Sequence, residues 1–319
     1  MPHSHHSHSG QFCRHAAGTL EQVVLQAIEQ GFETFGLTEH VPRYRTADLY
    51  PEEASMPLES LISQFDAFLD EAHRLKAKYA DRINLLVGLE TEHITSSDLD
   101  KLSELLETAG PRIEYLVGSV HHVHAIPIDF DYDTFTKSLS SFSSPSGTEK
   151  ERMEAFLCSY FDSQYELMRR FHPEIIGHFD LCRLYNPTLQ FSDYPDTQEK
   201  IRRNIRFAVS YGALFELNAA AFRKGWDAAY PGEDVVKIIM QEGGRFALSD
   251  DSHGPHAVGL NYSRLLEYGR RVGITEIWVL RSSQSPSAAG RRVTPQLLDG
   301  HWWEHRFWRG RRPSDDRVC

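Results

Sequence analysis

Short apolar runs alternate along the chain with longer amphipathic segments. The apolar runs are typical of buried strands, whereas the longer segments repeat apolar residues with the 3.6-residue period of a helix. We predict strands at residues 34–37, 83–89, 115–120, 174–177, 213–217, 246–249 and 276–280. We predict helices at residues 19–30, 58–79, 97–109, 149–171, 197–210, 234–242 and 257–272. Such alternation is typical of α/β proteins with a parallel sheet.

Polar residues follow the predicted strands at their carboxyl ends. They are His40, Glu90, His121, His178, Asn218 and the pair Asp251 and His253. A closed barrel brings all carboxyl ends to one mouth, whereas an open sheet spreads them along a line. Because residues from so many strands converge only in the closed form, we predict an α/β barrel over residues 1–281. Residues 282–319 are predicted to form a tail that packs on the barrel or is partly flexible.

Composition and charge argue against some classes of function. The chain has 319 residues and a formal net charge of −11, which argues against general affinity for nucleic acid or an anionic membrane. A small anionic substrate remains possible, because bound cations invert the local field. The four cysteines are scattered and no apolar run is long enough to span a bilayer, so we expect a cytoplasmic protein.

The first residues contain two His-x-His pairs, His3/His5 and His6/His8. Side chains two apart in an extended chain point the same way, so either pair could hold one metal ion. An expression tag is usually an unbroken run of histidines, whereas serines interrupt this one. Together with the strand ends, the candidate metal ligands are His6, His8, His15, His40, Glu90, His121, His178, Asp251 and His253. A single-metal site needs three or four ligands, so this set predicts two or three ions of Zn, Fe or Mn.

Several short motifs resemble the PHP (polymerase and histidinol phosphatase) superfamily, and specifically its monofunctional histidinol-phosphatase branch. They are His6-Ser-His8-Ser, Cys13-Arg-His15-Ala, Gly36-Leu-Thr-Glu-His40, Gly88-Leu-Glu90, Gly118-Ser-Val-His121-His122, Ile176-Gly-His178-Phe-Asp180 and Ser249-Asp-Asp251-Ser-His253. They occur in family order and span residues 1 to about 260. The resemblance implies a distorted (β/α)7 TIM-like barrel with three divalent metals.

The resemblance also implies how the ligands are shared among the metals. The first metal takes His6, His8, Glu90 and Asp251; the second takes Glu90, His121 and His178; the third takes His15, His40 and His253. Ser4 or His5 stands where the family usually has an acidic residue, so His3/His5 remains the alternative first pair.

The implied activity is hydrolysis of L-histidinol phosphate in histidine biosynthesis, with Glu90, Asp251 and His253 as catalytic residues. Phosphate oxygens need cationic donors, for which Arg183, Arg223 and Lys224 are candidates. Glu92, His93, His122 and Asn218 are candidates for binding the amino alcohol and imidazole. The alternatives are a PHP phosphoesterase or nuclease with another phosphate ester, and a non-catalytic metal-binding protein.

Overall fold

Parallel strands form the central sheet of the computed structural model, which describes residues 2–144 and 147–309. In these residues the sheet has seven strands, which lie in chain order: β1 (His3–Ser4), β2 (Thr34–His40), β3 (Asn84–Glu90), β4 (Tyr115–Gly118), β5 (Ile175–Ile176), β6 (Leu214–Asn218) and β7 (Arg245–Ser249). The helices around it are α1 (Leu20–Glu29), α2 (Leu58–Lys78), α3 (Ser96–Ala109), α4 (Tyr132–Ser140), α5 (Glu149–Phe171), α6 (Pro195–Ser210), α7 (Ala220–Arg223), α8 (Glu233–Gln241) and α9 (Tyr262–Arg271). The predicted seven-stranded barrel is confirmed.

Side chains of β1 bridge the sheet to β7 and nearly close the barrel. The backbone N–H of Leu248 donates to His3 Nε2 at 2.9 Å, and that of Asp250 donates to Ser4 Oγ at 3.1 Å. Just beyond these strands, Ser7–His8 pairs in parallel with Ser252–His253. The closure therefore places the N-terminal histidines beside the residues that follow the last strand.

Alternate residues of each strand face the barrel interior and the surrounding helices. In β3, Leu86 belongs to the interior cluster, whereas Val87 and Leu89 pack into the larger core that includes the helices. By the same alternation Glu90 faces the interior at the carboxyl end of β3. His40 is its register partner at the end of β2. The strand pattern thus places both side chains at the mouth of the barrel.

Tyr115 crosses the barrel interior and supports the N-terminal segment. Its hydroxyl donates to the backbone carbonyl of His5 at 2.8 Å. Gly36 leaves room for this crossing, because a Cβ at that position would lie 1.9 Å from Tyr115 Oη. The contact fixes the backbone immediately before His6.

The strand predicted at residues 276–280 does not join the barrel. Instead β8 (Trp278–Ser282) pairs antiparallel with β9 (Val293–Leu297). Leu280 and Val293 of this hairpin pack against the interior residues Leu86, Tyr115, Val117, Ile175, Leu214 and Ala247. The hairpin therefore covers the amino end of the barrel, and the predicted boundary after residue 281 falls inside β8.

The described part of the tail packs on the barrel through its aromatic side chains. Trp302 is buried and its Nε1 donates to the carbonyl of Ile274. Phe307 contacts Phe32, with ring centroids 5.2 Å apart. The basic end of the tail, residues 310–319, lies outside the described residues. Among the helices that are described, none combines the length and apolarity that crossing a membrane requires.

Candidate metal centre and substrate cavity

The carboxylate of Glu90 lies at the centre of a group of imidazoles. The shortest distances from a Glu90 oxygen to an imidazole nitrogen are 3.1 Å for His6, 3.4 Å for His8, 2.8 Å for His40, 3.2 Å for His121 and 3.0 Å for His178. Burial alone would raise the pKa of Glu90, but these imidazoles outweigh it and hold the pKa well below its ordinary value. Glu90 is therefore a buried anion with two oxygens, which suits it to bridge two cations.

The remaining predicted ligands complete this group. Asp251 Oδ1 lies 3.7 Å from Nε2 of both His6 and His8. His253 Nδ1 lies 3.6 Å from the same oxygen, and the His15 ring lies 5.1 Å from the ring of His253. The fold thus brings all nine residues predicted as ligands to one mouth of the barrel.

The donor set fits divalent metal ions. Four overlapping groups have donor atoms within 4.8 Å of one another: His6, His8 and Asp251; His6, Glu90 and His178; His8, His40 and Glu90; and Cys13, His15, His40 and His253. Among the described residues, the buried Nε2 atoms of His6, His8 and His40 have no hydrogen-bond partner. Buried polar atoms are normally satisfied, so these nitrogens indicate an additional partner. Imidazole and carboxylate together suit Zn, Fe or Mn.

A second layer of carboxylates lies beside three of these imidazoles and forms hydrogen bonds with two of them, those of His6 and His121. We did not predict this role from the sequence. Glu216 Oε2 lies 3.2 Å from His6 Nδ1, and Glu39 Oε2 lies 3.5 Å from His8 Nδ1. Glu92 Oε2 lies 2.8 Å from His121 Nδ1. A carboxylate on the far nitrogen fixes the tautomer of a metal-binding histidine and raises its basicity. The sequence signal was present, since Glu39 directly precedes His40 and Glu216 lies two residues before Asn218.

A cavity of about 510 Å³ opens directly over the metal-ligand group. Arg223 and Lys224, both predicted to bind phosphate, line it, and His256 lies in the same wall. The Nη2 of Arg223 donates to the backbone carbonyl of Asp251 at 3.0 Å, which holds the guanidinium beside the ligand group. Tyr50 and Asp129 contribute to the lining as well. The cavity therefore combines cationic, acidic and aromatic side chains around the candidate metal centre.

Comparison with known proteins assigns the family. The model of the PHP domain matches residues 4–220. Over 305 residues the chain is 45% identical to a probable histidinol-phosphatase of Schizosaccharomyces pombe, covering 95% of this chain and 96% of that protein. It is 34% identical to a histidinol-phosphatase of Saccharomyces cerevisiae, covering 94% of this chain and 99% of that protein. The chain belongs to the histidinol-phosphatase branch of the PHP family.

A solved structure supports the fold of this PHP-family chain. The histidinol phosphate phosphatase of Lactococcus lactis, complexed with Zn, L-histidinol and phosphate, superposes with a TM-score of 0.61 at 18% identity. The superposition covers 92% of this chain and 98% of that one. At this identity the likeness concerns the barrel, whereas the side-chain cluster described above is evidence from this chain for a divalent-metal site.

Arg183 does not have the role that we predicted for it. In this PHP-family barrel its guanidinium is buried and lies outside the cavity wall. It forms ion pairs of 2.6 Å with both Asp180 and Asp234, and its Nη1 also donates to the carbonyl of Leu189. Because these partners engage the guanidinium, Arg183 is a structural residue rather than a phosphate ligand in this structure.

The residues predicted to bind the organic part of the substrate also lie behind the cavity wall. His93 Nδ1 is 3.1 Å from the carbonyl of Ser163, and His122 Nδ1 is 3.1 Å from Glu92. Asn218 is buried, and its amide donates to Glu216 at 2.7 Å and to Asp251 at 3.3 Å. Asn218 and Glu92 contact the metal-ligand group, whereas His93 faces Ser163. None of the four residues lines the cavity in this structure, so it does not show the predicted substrate contacts.

The structure distinguishes the two N-terminal histidine pairs. His5 Nε2 accepts from the backbone N–H of Leu280 in the hairpin at the amino end of the barrel. His3 makes the bond to β7 described above, and the two rings lie 5.0 Å apart. His6 and His8 instead face Glu90 and Asp251. The geometry therefore favours His6/His8 as the first ligand pair.

Cys13 lies beside the third group of predicted ligands, although we had treated it simply as a reduced thiol. Its Sγ is 3.2 Å from His15 Nε2, and the side chain is buried. Burial raises the pKa of this thiol well above its ordinary value. His15 also has a carboxylate neighbour, with Glu52 Oε1 3.3 Å from its Nδ1.

Proposed function

We propose that this protein is a metal-dependent phosphatase that hydrolyses L-histidinol phosphate to L-histidinol and phosphate in histidine biosynthesis. The observation that carries the proposal is a cavity whose floor is the imidazole–carboxylate group and whose wall holds Arg223 and Lys224. The chain is similar in sequence to relatives named histidinol-phosphatase over nearly its whole length, which supports the proposal. Its expected location in the cytoplasm stays a prediction.

We assign three divalent metals to this ligand set. The first would be held by His6, His8, Glu90 and Asp251, the second by Glu90, His121 and His178, and the third by His15, His40 and His253. When bound, such ions lower the pKa of water for attack on phosphorus and neutralise charge on the phosphoryl oxygens. Glu92 and Glu216 keep the imidazoles of His121 and His6 in the tautomer and orientation that binding requires.

Phosphate binding is assigned to side chains in the cavity. Arg223 and Lys224 donate to the phosphate oxygens, with Arg223 positioned by its bond to the carbonyl of Asp251. The leaving alkoxide takes up a proton from solvent, because Asp251 and His253 are assigned as metal ligands and neither holds a proton readily. Burial alone would raise the pKa of Asp251, but neighbouring imidazoles keep it well below its ordinary value, and burial lowers the pKa of His253. Both side chains line the cavity, and their Oδ1 and Nδ1 atoms lie 3.6 Å apart. The single variants Asp251→Asn and His253→Gln should therefore lose bound metal together with activity, which elemental analysis and initial rates measure side by side.

A substrate panel tests the proposed function. Initial rates are measured on L-histidinol phosphate, an aryl phosphate and a single-stranded oligonucleotide, before and after chelation and after metal is restored. We expect the highest kcat/KM for L-histidinol phosphate, loss of activity on chelation and recovery with added Zn or Mn. The acidic chain should disfavour polyanions. A higher kcat/KM for the oligonucleotide would establish the nuclease alternative, and full activity without metal would refute the metal assignment.

A further inference from the structure

Asp129 is a cavity-lining carboxylate that the proposed metal centre and phosphate site leave without a role. Among the described residues its buried Oδ1 has no hydrogen-bond partner. The other acidic residue in this part of the wall, Glu52, already faces His15. A buried carboxylate oxygen without a partner is unfavourable, so Asp129 is suited to a ligand that brings a donor.

The backbone on either side of Asp129 anchors it in the cavity wall. The N–H of the buried Ile128 donates to the carbonyl of His121 at 2.9 Å. On the other side Phe130 stacks on Tyr50, with ring centroids 5.8 Å apart and planes inclined by 16°. Phe130 lines the cavity and remains 42% exposed, so its ring is open to a ligand.

Charge complementarity then identifies the ligand group. A carboxylate in the cavity repels the phosphate of any monoester. A substrate that also carries a positive charge offsets this repulsion by its own attraction to the carboxylate, whereas a substrate without one does not. L-Histidinol phosphate carries an ammonium on the carbon next to the esterified CH2, so the cavity that takes the phosphate must also take the positive charge, and Asp129 lines that cavity. We propose that Asp129 binds this ammonium and thereby selects cationic phosphate monoesters, while Tyr50 and Phe130 form the aromatic wall for the rest of the molecule. This inference rests on the proposed function.

Comparison of wild-type protein with the Asp129→Asn variant, each assayed on two substrates, tests the assignment. The substrates are L-histidinol phosphate and 3-(imidazol-4-yl)propyl phosphate, which keeps the imidazole and phosphate but lacks the amine. Wild-type protein should prefer the amine-bearing substrate about 10- to 100-fold in kcat/KM, the range expected for a charge-assisted hydrogen bond. Asp129→Asn should reduce this preference to nearly one, by loss of activity on the amine-bearing substrate alone.

Two further measurements separate local contact from long-range charge and from misfolding. Asp133→Asn removes the same charge from an exposed position four residues away and should retain the wild-type preference. Inhibition by L-histidinol, which lacks phosphate, should weaken about 10-fold or more in Asp129→Asn and remain unchanged in Asp133→Asn. If Asp129→Asn does not fold, Asp129→Glu serves instead and should keep a reduced preference for the amine.

The outcomes distinguish this inference from the proposed function. Hydrolysis of both substrates with an amine preference that survives in Asp129→Asn would overturn the role of Asp129 alone. The same holds if wild-type protein hydrolyses both substrates equally well. Failure of wild-type, metal-loaded protein to hydrolyse either substrate would instead overturn the proposed function.

Discussion

Replacing Glu92 by Gln distinguishes the role that the structure indicates from the role predicted from the sequence. In the structure Glu92 Oε2 lies 2.8 Å from His121 Nδ1 and 3.1 Å from His122 Nδ1, and Glu92 does not line the cavity. Burial alone would raise its pKa, but the imidazoles of His122 and His121 hold the pKa well below the ordinary value. Glu92 is therefore a carboxylate that orients His121 from the side opposite Glu90.

The expected effect is a loss of metal affinity rather than of substrate affinity. The amide of Gln keeps one acceptor oxygen, so the backbone N–H groups of His93 and His121 that now donate to Oε1 can still be satisfied. The negative charge facing His121 is lost, which lowers the basicity of that imidazole. Loss of such an outer carboxylate typically weakens metal binding about 10- to 100-fold, equivalent to roughly 1.4–2.7 kcal/mol.

Metal affinity and KM are measured separately to test this. Competitive titration against a chromophoric chelator gives the metal dissociation constants, and KM for L-histidinol phosphate is measured at saturating metal. Glu166→Gln is the matched control, because Glu166 is exposed and its Oε2 lies 3.7 Å from His93, away from the metal-ligand group. Unchanged metal affinity with a 10-fold rise in KM would refute the orienting role and restore Glu92 as a substrate contact.

Glu90→Gln should release bound metal, seen by elemental analysis, and lower turnover by roughly 100-fold or more, because the charge facing five imidazoles is lost; near-native turnover would contradict this. Arg223→Ala should lower kcat/KM for phosphate monoesters about 10- to 100-fold, and unchanged kcat/KM would remove it from the phosphate site. Arg183→Met should instead lower the free energy of unfolding in urea by about 3–5 kcal/mol, because the buried Asp180 loses its partner. The exposed control Arg206→Met should leave unfolding nearly unchanged, and stable Arg183→Met with a raised KM would contradict the structural role.

The barrel and the convergence of its polar residues could be predicted because both follow from local pattern. Strand residues alternate between two environments, so a Glu that ends an apolar strand, as Glu90 does, has its direction set by the strand itself. Parallel strands then bring such ends together regardless of the details of packing. The predicted strand at 276–280 shows the limit of prediction from local pattern, since an apolar run does not reveal whether the strand that pairs with it is parallel or antiparallel. Its antiparallel partner, β9, begins at Val293, where we had predicted a tail.

The role of a charged residue near a strand end depends on partners that are distant in sequence. Arg183 and Arg223 both follow barrel strands and looked equivalent as phosphate ligands. Arg183 is neutralised by Asp180 on its own turn and by Asp234 from α8, whereas Arg223 bonds to a backbone carbonyl and remains at the cavity wall. The position of Asp234 relative to Arg183 is a result of tertiary packing, which no local spacing predicts.

The position of each N-terminal histidine pair in the barrel likewise depends on strand register. By spacing alone His3/His5 and His6/His8 are equivalent, because each pair is two residues apart. Pairing of His3 with Thr34 at the start of β2 places the first pair at the amino end of the barrel. Pairing of His8 with His253 places the second pair at the opposite mouth. The chain therefore passes from the amino end of the barrel to its mouth between His5 and His6, at the point where the Tyr115 hydroxyl donates to the His5 carbonyl. The ligands that we propose in this segment are thus distinguished by two non-local strand pairings and one buried hydroxyl, and not by the His-x-His spacing itself.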